Sequence, residues 1–176
     1  KYSEIKPARA KKKVVIVGAG PAGLEAARVA GLKGHQVTLF EKSTSLEGGQ
    51  LALAAAAPHK SVLQSVVSYY HEAFRSLDNV DIKPALEATA DMVIREKPDT
   101  VIIATGAKSY IPDIPGVDAD NIVTAFDVLS SKVMLEGKNV IICGGNAIGC
   151  EIAAYLADKN NKVTIVEMFD SIGRDI

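Results

Sequence analysis

The sequence predicts an α/β fold built on a parallel sheet, and three observations predict it. Apolar, strand-like runs alternate with helical segments along the chain. The first run feeds directly into a glycine-rich turn that opens a helix. That strand–turn–helix–strand arrangement is then written twice, at residues 14–42 and 140–168. Strands alternating with helices imply parallel pairing, with the helices laid over both sheet faces.

The first copy begins with four β-formers at 14–17, followed by Gly18-Ala19-Gly20-Pro21-Ala22-Gly23 and a run rich in Leu, Glu, Ala and Arg. Gly18 allows a sharp reversal because it tolerates positive φ. Gly20 leaves no Cβ between the backbone and a bound pyrophosphate, and Gly23 lets the helix pack close on the strand. Pro21 suits the first helical turn, where its missing N–H would have had no intrahelical partner. A helix opened this way presents unpaired N–H groups and the positive end of its dipole to an anion. The helix is expected to end near Gly34, and QVTLFEK restores strand character up to Glu41, 41 − 18 = 23 residues after the first glycine. An acidic residue about 20 positions on is where a dinucleotide fold places its ribose acceptor.

Between the copies, TSLEGGQLALAAAAPHKS holds a Gly-Gly turn and an alanine-rich segment stopped by Pro58. A helix over about 61–77 follows, with Val62, Val66, Tyr69, Tyr70, Phe74 and Leu77 at helical spacing as a core stripe. NVDIK reads as a strand and ADMVIREKPD as a short helix. Residues 100–104 form a strand that turns at Thr105-Gly106 into the rigid piece Ile-Pro-Asp-Ile-Pro-Gly, and AFDVLSS is a further short helix. In the second copy Gly144, Asn146 and Gly149 stand at the three glycine positions, with Gly145, Ala147 and Ile148 between them. Glu167 repeats the acidic spacing, 167 − 144 = 23. Asparagine is the most tolerable replacement where φ is positive, but its side chain would crowd a pyrophosphate. Glu167 would repel a 2′-phosphate on a bound nucleotide, with Arg174 as an offsetting cation.

Composition narrows the rest. The chain has 176 residues, 48% of them hydrophobic, with a formal net charge of −1. That balance gives no electrostatic case for nucleic acid or an anionic membrane surface, and Lys11-Lys12-Lys13 is a solvated flank. No apolar run approaches the ~18 residues of a membrane span. The opening KYSEIKPARA lacks the apolar centre of a signal peptide, and there are only two cysteines, Cys143 and Cys150. Both observations fit a cytoplasmic protein. The cysteines are expected to be small core residues, and no CxxC or CxxxxC pair argues for a disulfide reductase. His35, His59 and His71 are scattered surface or capping residues with no metal-binding pattern. No side chain stands out as a general base or nucleophile.

The segments IKPARAKKKVVIVGAGPAGLEAA, GHQVTLFEK, GGQLALA, VIIATGAKSYIPDIPGVD and AFDVLSSK resemble the dinucleotide-binding portion of bacterial 2,4-dienoyl-CoA reductases. Trimethylamine dehydrogenase and other NADH:flavin oxidoreductases of the old yellow enzyme group share this portion, which carries pyridine nucleotide-disulfide oxidoreductase-like domains. The resemblance implies a Rossmann-like sheet of the FAD/NAD(P)-binding type with a second, truncated βαβ unit. Residues 1–12 would be a linker and 13–116 an FAD domain lacking its closing segment. Residues 117–176 would be a connector and the start of an NAD(P)H domain.

Carried over position by position, Gly18, Ala19, Gly20, Pro21, Ala22 and Gly23 would face the FAD pyrophosphate. Glu41, with Lys42 beside it, would meet the adenosine ribose, and Gly49 and Gln50 would lie along the flavin side. Ala88 would offer backbone groups to the adenine, while Ala104, Thr105 and Gly106 would form a second FAD-contacting loop. The second copy would take NADH or NADPH. The resemblance also implies an FMN-bearing TIM barrel and an iron–sulfur cluster as partner domains of the parent enzyme, and neither cysteine here precedes Gly18. The chain is accordingly expected to be an electron-input piece of a longer oxidoreductase, inactive alone and prone to self-association through an uncovered sheet. In trimethylamine dehydrogenase the first site holds ADP rather than FAD, so a non-catalytic ADP-binding module is the competing expectation.

Overall fold

The computed structural model describes residues 4–174, so the first three residues of the linker lie outside the description. The chain forms two compact units. The first runs up to Ala52 and resumes over Leu63–Ala107; the second takes Leu53–Val62 and the chain from Lys108 onward.

In the first unit four parallel strands, β1 (Lys13–Val17), β2 (Gln36–Phe40), β3 (Val80–Lys83) and β4 (Thr100–Ile103), lie in the order β3-β2-β1-β4. The register sets Ile16 opposite Leu39 on one side and Ile102 on the other. β1 and β2 are apolar at successive positions because both faces are covered, and Val15, Ile16, Val37 and Leu39 are fully buried. Helix α1 (Pro21–Leu32) crosses between them with Leu24, Ala27 and Ala30 turned to the core, and Pro21 holds the first helical position as expected. A short α2 (Gln50–Ala55) and a 3₁₀ turn (Ser61–Leu63) lead into α3 (Gln64–Phe74), and α4 (Ala90–Arg95) precedes β4. The aromatic stripe on α3 is split. Tyr70 is buried, and Val66 and Phe74 pack against the same core, but Tyr69 and Val62 are exposed. Tyr69 instead lies under the Arg28 guanidinium, 5.9 Å from its ring centroid.

The second unit holds α5 (Ala125–Leu129), β5 (Asn139–Cys143), α6 (Ala147–Ala157) and β6 (Lys162–Val166), with β5 and β6 parallel. A reciprocal Thr124–Asp127 capping box starts α5. Val128, Ile152 and Leu156 form the core, with Val140, Ile142 and Val163 packed on it. Lys60 reaches Glu151 of α6 in an ion pair, which ties the 53–62 segment into this unit. The opposite sheet face, with Ile141, Cys143 and Val166, is exposed, because α5 and α6 cover one side only. Cys143 is therefore not a core residue, and Cys150 is half-buried.

Polar side chains, half-buried in the first copy and buried in the second, tie the ends of the two copies in the same way. His35 Nδ1 accepts the Lys12 N–H, and Asn161, at the matching position (161 − 35 = 126), accepts the Lys138 N–H through Oδ1 at 3.0 Å. Asn161 also donates to the carbonyls of Leu135 and Leu156 at 2.9 and 2.8 Å. Each lost bond at a buried amide removes about 1 kcal/mol and leaves polar groups unpaired. Asn161→Ala should therefore lower the unfolding free energy by about 2–3 kcal/mol, read from denaturant melts as a shift in midpoint at constant slope.

Candidate dinucleotide sites

Each copy of the motif closes by the same backbone device. Gly18 and Gly144 take φ of +100° and +109°, so the turn after the strand needs glycine in both. The third glycine admits no side chain: a Cβ on Gly23 would stand 1.8 Å from the Gly18 carbonyl oxygen, and one on Gly149 would stand 1.9 Å from that of Gly144. The helix therefore begins directly against the strand exit, its N-terminus aimed out of the sheet edge.

The acidic residue at the end of the next strand then bonds back to the turn. Glu41 Oε2 accepts the Ala19 N–H at 2.6 Å and Oε1 accepts the Ser43 N–H at 2.8 Å. Glu167 repeats this, taking the Gly145 N–H at 2.7 Å and those of Met168 and Phe169 at 2.7 and 3.0 Å. Burial pushes the Glu41 carboxyl up, but the Ser43 and Ala19 N–H groups outweigh it and hold it below its ordinary value. At Glu167 the Gly145 N–H acts first in the same direction. Both carboxylates are thus fixed and ionised beside a helix N-terminus, with lone pairs left over for hydroxyl donors.

Around the first loop, pieces distant in sequence converge. The Ala104 N–H bonds to Val17, and the Ala104 carbonyl lies against Gly18, 2.4 Å from where a Cβ would be. A Cβ on Gly49 (φ +57°) would sit 3.5 Å from the Gly20 Cα, and Gln50 donates to the Ala107 carbonyl at 2.7 Å, beside Gly106 at φ +73°. Thr105 is exposed between them, and Pro21 and Ala22 are exposed on the first turn of α1. At the far end, Ala85 and Leu86 donate to the carbonyls of Ser43 and Glu41. Ala88, half-buried, follows in that turn, and Lys42 is exposed beside Glu41. Gly20 has φ −70°, and a Cβ there would meet nothing within 4 Å. Its glycine is a matter of space above α1, the cradle a pyrophosphate would need, and not of backbone conformation.

The second loop has different neighbours. Gly145 is covered by Ile172, whose Cγ2 would lie 2.6 Å from a Cβ, and the Gly173 N–H donates to the Gly145 carbonyl at 2.7 Å. Arg174 lies over the Phe169 ring, 5.1 Å from its centroid. Asn146 has φ −72°, so the expected positive φ is absent. Its Oδ1 instead caps α6, accepting the Gly149 N–H at 2.9 Å. Ala147 opens the helix and Ile148 is exposed. The Asn146 cap, the Ile172–Gly173 strap and the Asn161 tie all escaped the sequence reading. Of these only the cap had a signal there, an asparagine directly before a helix.

These features define an α/β chain of the dinucleotide-binding type that carries two strand–glycine turn–helix loops. The chain belongs to the pyridine nucleotide-disulphide oxidoreductase family, whose model matches residues 12–176. It is 44% identical over 178 residues to an NADH oxidase of Thermoanaerobacter brockii, covering 99% of this chain and 27% of that protein. It is 42% identical to a bilirubin reductase of Mediterraneibacter gnavus (strain CC55_001C), covering 97% and 26%. Among solved structures, a 2-naphthoyl-CoA reductase in complex with 2-naphthoyl-CoA superposes with a TM-score of 0.90 at 40% identity, over 98% of this chain and 26% of that one. The chain thus spans about a quarter of these relatives, and it is a flavin/NAD-binding domain of the kind found in such flavoenzymes. Among the described residues no helix is long and apolar enough to cross a membrane.

The two depressed carboxyls give a pH test. Stability from Glu41 and Glu167 is present in full above the ordinary carboxyl value of 4.5 and is lost as pH falls through the depressed folded values. Between about pH 5 and pH 3 the denaturant midpoint of the native protein should fall more steeply than that of Glu41→Gln/Glu167→Gln. Parallel curves would show that the carboxylates carry no such linkage.

Proposed function

We propose that the first unit holds FAD, the second takes NAD(P)H, and the chain is the electron-input module of a flavin-dependent oxidoreductase. On this reading residues 13–116 supply the FAD domain, less the 53–62 and 108–116 segments that group with the second unit, and 117–176 open the NAD(P)H domain. The single observation that carries it is the repeated clasp: turn glycine, helix N-terminus and back-bonded glutamate recur at one offset, 144 − 18 = 167 − 41 = 126. A chain that builds the same anion cradle twice is built for two dinucleotides.

Held in the first unit, FAD would supply a hydride acceptor for the nicotinamide, a chemistry that belongs to the cofactors. The residues of this chain bind and orient. The α1 N-terminus with Gly18, Ala19, Gly20, Pro21, Ala22 and Gly23 seats the pyrophosphate, and Glu41 receives the ribose hydroxyls. The Gly49–Gln50 and Ala104–Thr105–Gly106 segments border the cofactor, and Ala88 lies at its adenine end. In the second unit Gly144, Gly145, Asn146, Ala147, Ile148 and Gly149 line the nicotinamide-dinucleotide loop, with Glu167 at the ribose. A barrel domain outside this chain would be the acceptor of the electrons such a module delivers. The reading draws support from the length of the relatives and from their names as oxidase and reductase.

Mass spectrometry of the ligand released on denaturing the intact protein tests this directly. FAD is the expected mass; ADP would replace the electron-input role with a non-catalytic nucleotide module. A second test is Gly20→Val. The substitution places a branched side chain in the open cradle while fitting the backbone, since φ is −70°. FAD retention after gel filtration should be abolished with the far-UV circular dichroism unchanged, and an undiminished flavin content would remove the cofactor from this loop.

A further inference from the structure

The two clasps share a backbone and differ in what closes the helix end. Gly20 and Asn146 have nearly the same conformation, φ −70° and ψ 179° against φ −72° and ψ −177°. Glycine is therefore not required by the chain path at either position. At position 20 no side chain caps α1, and the space a Cβ would enter is open. At position 146 the carboxamide oxygen sits 2.9 Å from the Gly149 nitrogen, where it satisfies a donor of the first turn of α6. An oxygen accepting that N–H stands where a phosphate oxygen would approach the same helix end.

Resting on the reading of unit two as a nucleotide site, we infer that Asn146 is a displaceable internal ligand of the second loop. The dinucleotide enters by pushing the Asn146 carboxamide off Gly149, so Asn146 lowers affinity and sets exchange. The first loop has no such competitor. A ligand there replaces only water at the α1 N-terminus, and it is also bordered by Gly49–Gln50 and by Ala104–Ala107. The asymmetry fits a bound group that stays through many turnovers at the first site and a co-substrate that must leave at the second.

The strap over Gly145 holds the turn independently of Asn146. Ile172 and Gly173 occupy one side of the turn and Glu167 takes the Gly145 N–H, so the turn itself is held without help from Asn146. Removing the carboxamide therefore frees the helix end without loosening the loop. Glycine at an N-cap is nearly as good as asparagine, so the fold survives the change.

The test is equilibrium titration of the intact protein with NADH and NADPH, using native, Asn146→Gly and Asn146→Asp forms. Asn146→Gly should tighten binding of the preferred nucleotide by roughly three- to tenfold, the range of one cap bond. Asn146→Asp keeps an acceptor on Gly149 but adds a negative charge where the pyrophosphate must come. It should weaken binding by more than about tenfold, with the loss shrinking as salt is raised. Nucleotide binding to the native protein with an unchanged or weaker Asn146→Gly, or an Asn146→Asp as tight as native, overturns the displacement and leaves the site standing. If neither nucleotide binds the native or the Asn146→Gly protein at millimolar concentration, the nucleotide reading of the second unit falls, and the displacement with it.

Discussion

The absence of room for a single methyl group at Gly23 and at Gly149 is the constraint on which both sites depend. With the carbonyl of the turn glycine under 2 Å from where a Cβ would be, the helix can start only as bare backbone pressed on the strand exit. That contact directs the helix N-terminus out of the sheet edge, the place where a helix end can receive an anion. It also sets the distance to the neighbouring strand, so the glutamate ending β2 or β6 reaches back to the turn. Strand pairing, helix placement and anion cradle are thus one geometric decision made twice.

Much of this is legible in the sequence because it rests on residues with no substitute. A glycine with no space for Cβ, a proline at the first helical position and a carboxylate at a strand end announce themselves by letter and spacing. The strands of the first unit are equally readable, since Val-Val-Ile-Val and Val-Thr-Leu-Phe are buried on both faces. What stays hidden is equivalence between unlike residues. His35 and Asn161 accept the same backbone N–H in the two copies through an imidazole nitrogen and an amide oxygen. Gly34 and Asn160 both end their helices in the left-handed conformation, at φ +85° and +59°. The asparagine that takes a glycine's place at positive φ is thus Asn160, not Asn146. The two differ in place, since Asn146 directly precedes α6 and Asn160 follows it, and it is the residue after the helix that takes the left-handed conformation.

The misplaced expectations share a physical origin. Cys143, Tyr69 and Val62 are apolar letters at apolar periods, and periodicity reports which face a residue is on without saying whether that face is covered. In the first unit the central strands β1 and β2 are covered on both faces, so there the pattern translates into burial, while β4 at the sheet edge leaves Val101 and Ile103 exposed. In the second, α5 and α6 lie on one side of β5 and β6, and the alternate residues Ile141, Cys143 and Val166 remain exposed.

The carboxylates add an electrostatic consequence. A glutamate beside a pyrophosphate is a like-charge neighbour, and at a few ångströms in a half-buried setting that repulsion is costly. Each carboxylate offsets it by accepting backbone N–H groups at the turn and at the residues after the strand, which hold it ionised and fixed. In the proposed complex the charge would be held at the ribose end, where hydroxyl donors are available, while the helix dipole would supply the positive potential at the pyrophosphate end. A protonated or mobile glutamate would lose this separation. The turn that needs glycine for its shape therefore also needs its N–H groups for the carboxylate, and the fold and the site are specified by the same few backbone atoms.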